Sequence, residues 1–324
     1  MLEYITKKLI AMIPKLLIIT ILVFIGFELI PGDALERSMD PMEYMTLTEE
    51  QMEERREALG LNDPAYIRYF RWLGNVVKGD LGYSVINKTS VNSMLAARLP
   101  ATLKLAALAL LLSTAFGLIF GFISARWQNK WPDYLLSVLS LVGISVPSFF
   151  FGMIFILAFA VYLGWLPSGG QPSVGDVTFW AQFKYLILPA VSMALLDTGS
   201  LARFTRNSML DVMNKDYIKT PRAKGDSELV VYMKHCFRNG CPPVIILLIN
   251  RIPTILAGTV IIETVYNYQG IGNLMLTAIT TADIQIAMSI LLFCTVAVLA
   301  ASFLCDIVVA LLDPRIRLGK EEVA

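Results

Sequence analysis

The sequence predicts an all-α integral membrane protein of six spans, with a helical insertion on the outer side after the first. Composition, the spacing of apolar runs and the placement of Lys and Arg carry that prediction. Of 324 residues, 56% are hydrophobic and only 16% charged, with a mean hydropathy of +0.62. A soluble domain carries about 25% charged residues, so a chain this poor in charge belongs in a bilayer. The net charge of +1 is by itself neutral on nucleic acid, and no nucleic-acid partner is expected from where the charges sit.

A bilayer core of about 30 Å takes about 20 apolar residues as helix. Runs at roughly 9–31, 97–124, 134–163, 183–203, 243–266 and 284–312 meet that requirement. The first follows Lys7 and Lys8, lacks a small-residue cleavage site and has the length of a full span, so it reads as an uncleaved anchor. Positive charge marks the cytoplasmic side. Arg126 and Lys130 lie between spans two and three; Arg206, Lys215, Lys219, Arg222, Lys224, Lys234 and Arg238 lie between spans four and five; Arg315, Arg317 and Lys320 lie in the tail. Segments 164–182 and 267–283 have neither Lys nor Arg. Both termini are therefore expected in the cytoplasm. The expected segments are 1–31 (N-terminus and first span), 32–96 (external), 97–312 (five-helix core with a cytoplasmic loop at 204–242) and 313–324 (tail).

Within 32–96, Thr48 to Gly60 predicts a surface helix, with Thr48 as cap, acids in the first turn and Gly60 at the end. A second, amphipathic helix is expected over Ala65–Val77, with Tyr66, Tyr69, Phe70, Leu73 and Val77 on one face. A cap packed on the membrane and a docking surface for an external partner both fit.

Several chemistries are excluded. There is no Gly-rich phosphate loop ending in Lys and Ser/Thr, so the chain alone should not hydrolyse nucleotide, and neither His-Glu-x-x-His nor Gly-x-Ser-x-Gly occurs. One His and no paired Cys spacing leave no metal site. Cys241, Cys294 and Cys305 lie in or beside apolar runs and Cys236 in the basic passage, so no disulfide framework is expected. Asp197 and Asp306 could formally serve an intramembrane aspartyl protease, but both are placed near span ends, against that reading. Ser168-Gly169-Gly170-Gln171 imitates a nucleotide-signature loop, yet it follows Trp165-Leu166-Pro167 on the outer side and reads as a turn.

Ionisable residues inside apolar runs ask for a function. Arg251, eight positions after Pro243, sits about 12 Å along the fifth span. It reads either as a charge facing a water-filled path, suited to a substrate carboxylate, or as one paired with another subunit or snorkelling to the interface. Glu28 and Glu263 lie close to outer span ends, where interfacial solvation is expected.

The passage from Asp216 to Pro243 holds the only His, His235, and a dense set of Lys and Arg. Pro221 suits a first helical turn, Gly225 a break, and Ser227 a cap for a second helix over Glu228–Arg238. Such a short, partly apolar helix fits another protein's groove and equally an anionic lipid surface.

At this point a resemblance enters. Arg203-Phe204-Thr205-Arg206-Asn207-Ser208-Met209-Leu210, Asp216-Tyr217-Ile218, Arg222-Ala223-Lys224-Gly225 and Phe237-Arg238-Asn239 resemble the cytoplasmic loop of peptide-type ATP-binding-cassette importer permeases. Pro31-Gly32-Asp33, Leu59-Gly60-Leu61 with Pro64, Gly79-Asp80-Leu81-Gly82-Tyr83-Ser84, Arg98-Leu99-Pro100-Ala101-Thr102-Leu103, Gly164-Trp165-Leu166-Pro167, Glu263-Thr264-Val265, Gly270-Ile271-Gly272 and Asp313-Pro314-Arg315 extend it over nearly the whole chain. The pattern is similar to the first of two permeases in a dipeptide/oligopeptide system.

The resemblance implies a type I importer transmembrane domain, and an EAA-type loop whose coupling helix sits in a groove on a cytosolic ATPase. It assigns coupling to Tyr217, Thr220, Pro221, Ala223, Gly225, Asp226 and Ser227, and an external docking or gating role to Asp80, Gly270 and Gly272. It implies a paralogous permease, two ATPase subunits holding ATP and Mg, and an extracytoplasmic binding protein, all at a bacterial cell membrane. This chain itself would bind no cofactor. Nickel chelates, metallophores and glutathione stand as alternative cargo, and a stand-alone secondary transporter as the alternative class. The chain departs from the family at Pro221, Gln269, the extra proline of Cys241-Pro242-Pro243, and Arg251.

Overall fold

A computed structural model describes residues 2–30, 34–37, 39, 41–58, 60–84, 86–172, 178–281 and 283–312. Pro31-Gly32-Asp33, Leu59 and the tail with Asp313, Arg315, Arg317 and Lys320 lie outside the described residues. The order is α1 (Leu2–Glu28), α2 (Ala34–Arg37), α3 (Pro41–Tyr44), α4 (Glu49–Ala58), α5 (Ala65–Val77), β1 (Tyr83–Ser84), β2 (Thr89–Ser90), α6 (Val91–Arg126), α7 (Trp131–Ser145) and α8 (Ser148–Phe155). It continues through α9 (Phe179–Met213), α10 (Lys219–Ala223), α11 (Glu228–Val230), α12 (Arg238–Val265), α13 (Ile271–Thr280) and α14 (Ile284–Leu312). Wider π-type turns follow α8 at Ile156–Tyr162 and α11 at Val231–Phe237, and a 3-10 turn precedes α10 at Asp216–Ile218.

Among the described residues, four helices are long and apolar enough to cross a membrane, in α1, α6, α9 and α14, and a bent pair can make a fifth. That pair is the expected third span at 134–163. It is not straight: Trp131–Ser145 and Ser148–Tyr162 meet at 102°. Pro147 has no N–H to give a preceding turn and pushes its predecessor out of the helical region; Val146 is extended, at φ −97° and ψ 128°. The expected fifth span is the continuous α12, which carries Arg251 together with Pro242, Pro243 and Pro253 inside the helix.

Contacts divide the chain into two units, 1–102 with 269–299, and 103–268 with 300–324. In the first, Thr48 and Gln51 exchange main-chain and side-chain hydrogen bonds in a capping box at the start of α4. Gly60 ends the passage with a left-handed φ of 64°. α5 forms as expected and is pinned to α1: Tyr69 Oη and Thr20 Oγ1 share a 2.9 Å hydrogen bond, and Arg68 pairs with Glu28. Glu28 is thus ion-paired rather than simply solvated. Of the expected apolar face only Tyr69 is buried, while Tyr66, Phe70 and Val77 are exposed, as on a helix whose flank meets lipid. Val91, Leu95, Ile271, Leu274, Ala278, Ile286, Ala287 and Ile290 form this unit's core.

The second unit is built on α9, which packs on α7, α8 and α12. Small residues set the approach, as between membrane helices generally: a Cβ on Gly199 would stand 2.5 Å from the Ser140 carbonyl oxygen. Tyr266, 1% exposed, joins three segments. Its hydroxyl shares a 2.8 Å hydrogen bond with Ser192 and donates to the Gly152 carbonyl at 3.2 Å. Its own carbonyl accepts from the Gly170 N–H at 2.8 Å. The Ser168–Gln171 passage is therefore a turn docked on Tyr266, as expected. A Cβ on Gly169 would stand 1.9 Å from that carbonyl oxygen, so Gly169→Ala should cost at least about 1–3 kcal/mol through backbone displacement. A lowered thermal midpoint in detergent checks this.

Glu263, expected at a solvated interface, is fully buried. Its carbonyl accepts from the Tyr268 N–H at 2.7 Å, where the chain folds back at the end of α12 and takes Glu263 inside.

Candidate functional site

The 204–242 passage has two faces. Ile218, Val231 and Cys236 are fully buried against Met209 and Ala125, with Phe122 and Phe237 packed beside them. Burial pushes the Cys236 thiol pKa upward, which suits a core-filling thiol rather than a reactive one. On the other face Tyr217, Leu229, Val230 and Met233 are 40–51% exposed. Four apolar side chains this open, on a passage also rich in Lys and Arg, form a surface suited to a protein partner.

Between these faces lies the bend. The N–H of Asp226 reaches back to the Pro221 carbonyl at 3.1 Å, and that of Gly225 to the Arg222 carbonyl at 3.1 Å. This pair of bonds is a Schellman ending for α10, with Gly225 at the left-handed position, φ 85°. Arg222 grips Glu228 across the bend with Nε and Nη2, at 3.0 and 3.3 Å; the carboxylate raises the arginine's pKa further. His235 Nε2 lies 3.5 Å from Asp226 Oδ2.

Of the residues assigned to coupling, Tyr217, Thr220, Ala223, Gly225, Asp226 and Ser227 are exposed around the bend. Pro221 turns inward and is buried. Ser227 corrects the expectation. It is extended, but its side chain makes no capping hydrogen bond. No separate Glu228–Arg238 helix ends before Pro242 either: α11 is three residues, and helical turns run on through the π segment into α12. Pro242 and Pro243 fall in the first turns of α12, which continues past them without a break.

The structure also shows a joint that motif reading missed. Asp133, 2% exposed, takes Arg206 Nε on Oδ1 and Nη2 on Oδ2, both at 2.7 Å. It also accepts from Ser124 Oγ and, at 2.9 Å, from the Asn129 N–H. One carboxylate thus gathers the end of α6, the following turn, the start of α7 and the part of α9 that leads into the 204–242 passage. The sequence signal was an acid in the first turn of a helix right after a proline.

Asp80, Gly270 and Gly272 fall in the first unit. Asp80 Oδ1 accepts from the Gly82 N–H at 2.8 Å, and the Leu81 carbonyl accepts from Gln285 Nε2 at 2.7 Å and Ser289 Oγ at 3.2 Å. Gly270 starts α13, whose first N–H, on Ile271, donates to Thr102 Oγ1 at 2.8 Å. Gly272 is buried. Ser84, which donates to Asp283, fastens the hairpin to the start of α14. Leu81, α13 and the start of α14 share one apolar cluster, so the three residues border a single packed assembly.

Arg251 pairs within the chain, through Nη1 to Asp197 Oδ1. It is neither snorkelled nor left to another subunit. Asp197 lies six residues before the end of the apolar stretch 183–203, while α9 itself continues to Met213. Among the described residues no cluster of His, Cys, Asp and Glu could hold a metal.

Two family descriptions match: "Binding-protein-dependent transport system inner membrane component" over residues 117–318, and its N-terminal counterpart over 1–106. The oligopeptide transport system permease protein AppB of Bacillus subtilis is 38% identical over 318 residues, 98% of this chain and 99% of that one. The glutathione transport system permease protein GsiC of Escherichia coli K12 is 33% identical over 317 residues, again 98% and 99%. A solved chain of the MetNI methionine ABC transporter, inward facing, superposes with a TM-score of 0.55. That match covers 68% of this chain and 96% of the other at 16% identity, a likeness of fold.

Proposed function

The chain belongs to the family of binding-protein-dependent transport system inner membrane components, and on that premise we propose that it forms half of the path by which an ATP-driven importer takes in di- or oligopeptides. It is a membrane-embedded permease subunit of an ATP-binding-cassette importer. An extracytoplasmic binding protein delivers the cargo, a paralogous permease supplies the other half, and two cytosolic ATPases hold ATP and Mg. The Lys and Arg bias puts both termini and the 204–242 passage in the cytoplasm. Peptide cargo is favoured by the likeness to AppB; the likeness to GsiC keeps glutathione, itself a peptide, as the second reading.

The observation that carries the proposal is the two-faced passage. Its inner face is packed on α9 and α6, while its outer face presents Tyr217, Leu229, Val230 and Met233 beside the Gly225 bend. A helix–bend–helix of this kind lies in a groove and transmits movement of the groove wall to the spans behind it. Closure of two ATPases would shift α10 and, through the packed inner face, α9. Asp80, Gly270 and Gly272 shape the outer end, where the binding protein docks.

Purification of the tagged chain from its native membrane should bring down a second permease and ATPase subunits. Peptide uptake into liposomes should require the complete set with binding protein and ATP. Uptake by the chain alone would instead make it a secondary transporter.

A further inference from the structure

Asp197 and Arg251 meet inside the apolar runs 183–203 and 243–266, where a membrane chain tolerates charge poorly. Asp197 stands 18 residues from Phe179 and 16 from Met213 on α9, about 27 and 24 Å. Arg251 stands 13 residues from Arg238 and 14 from Val265 on α12, about 20 and 21 Å. The two charges therefore lie at mid-helix on both partners, about 9 and 12 Å inside the cytoplasmic ends of the apolar runs 183–203 and 243–266. Yet the site is not closed: the Arg251 and Asp197 side chains keep 24% and 13% exposure, and the neighbouring Asn250 is exposed as well. Charge and amide left open at that depth face water or protein, because facing lipid would be prohibitive.

The manner of pairing adds a second argument. Asp133 and Arg206 form a two-pronged fork, with the carboxylate further held by Ser124 and Asn129. That is how a permanent clamp is built. Arg251 instead reaches Asp197 through one nitrogen, Nη1, which leaves the fork geometry of its guanidinium for another carboxylate.

We propose that the Asp197–Arg251 pair is an exchange site on the wall of the translocation path for zwitterionic cargo. The carboxylate end of the cargo takes the Arg251 fork while the ammonium end takes Asp197, so the pair opens and two new pairs close. A lone fixed charge in a low-dielectric path would hold a counter-charge too tightly and repel its like. A neutral pair exchanged for a net-neutral molecule changes the local charge at no stage. The proposal rests on the peptide-importer reading and adds to it the residues that receive the two termini.

The test uses the complete transporter in liposomes, with one peptide offered in two forms: free C-terminus and C-terminal amide. Loading of the binding protein by each form is measured separately and equalised. Arg251→Gln should reduce uptake of the free peptide about tenfold, the loss of one charge-assisted hydrogen bond, while leaving the amide nearly unaffected. Asp197→Leu with Arg251→Met removes both charges and guards against a folding artefact; it should keep the wild-type thermal midpoint within a few degrees and also lose the preference for the free form. Equal losses for both peptide forms in Arg251→Gln would overturn the exchange site and leave a structural pair. Wild-type preference retained in the neutral double variant would overturn it too. Wild-type transporter that moves neither form would bring down the peptide reading itself, a distinct outcome.

Discussion

Gly225→Val should abolish most peptide uptake, by about tenfold or more, while ATP hydrolysis by the partner subunits continues. The reason is backbone geometry rather than crowding. A Cβ built on Gly225 meets nothing within 4 Å, but the residue sits at φ 85°. A left-handed conformation costs an ordinary L-residue about 1–2 kcal/mol, and a β-branched residue is a strong outlier there. Valine would relieve that strain by unwinding the Schellman ending, which releases the Asp226-to-Pro221 and Gly225-to-Arg222 hydrogen bonds. The Arg222–Glu228 grip spans those bonds, and the exposed apolar face would lose its fixed angle to the buried one. Asparagine tolerates the left-handed region, so Gly225→Asn should retain most uptake. Parallel measurement of uptake and ATP hydrolysis in liposomes decides the matter. Undiminished uptake in a folded Gly225→Val transporter would remove the bend from the coupling path, and equal failure of valine and asparagine would show that bulk at the surface matters instead.

Features encoded in a few adjacent residues were legible. The cap at Thr48, the left-handed endings at Gly60 and Gly225 and the limits of α5 each depend on neighbours along the chain. The bend at Pro147 was legible in principle, since a proline after Val146 is a local signal, but an unbroken apolar run masked it. Ser227 shows the opposite error. A capping residue at a good position makes no side-chain cap, while the turns that follow it are packed inward through Val231 and Cys236.

Charges were harder. Arg251 announced itself as an anomaly in an apolar run, yet its partner is 54 residues away on another helix, and no local pattern links the two. Asp133 carried only the local signal of an acid in a first helical turn: its partner Arg206 is 73 residues distant, and each looked like an ordinary polar residue beside a span. Pairings across helices follow from the packing of α7 on α9, which periodicity does not reveal.

That joint carries the second large effect. Asp133→Ala should destabilise the protein by about 3–5 kcal/mol, since removing one partner of a buried ion pair strands the other. Arg206 would keep its charge in a place that is 23% open, with its fork aimed at nothing. Arg206→Lys should cost less but more than a surface change, because an ammonium cannot reproduce two parallel bonds to one carboxylate. Asp133→Leu with Arg206→Met should recover much of the thermal midpoint, for a neutral pair of similar bulk carries no desolvation cost. Stability and coupling then separate. If Asp133 only holds the bundle together, uptake returns with stability in the double variant. If it also holds α9 at the angle from which the 204–242 passage departs, stability returns while uptake stays low, and ATP hydrolysis runs without transport. A thermal midpoint unchanged in Asp133→Ala would dismiss the clamp altogether. The second outcome is the expected one: Asp133 ties α6, the 127–130 turn, α7 and α9 at one point, so a movement arriving along α9 from the Gly225 bend is shared among those helices only while that point is fastened.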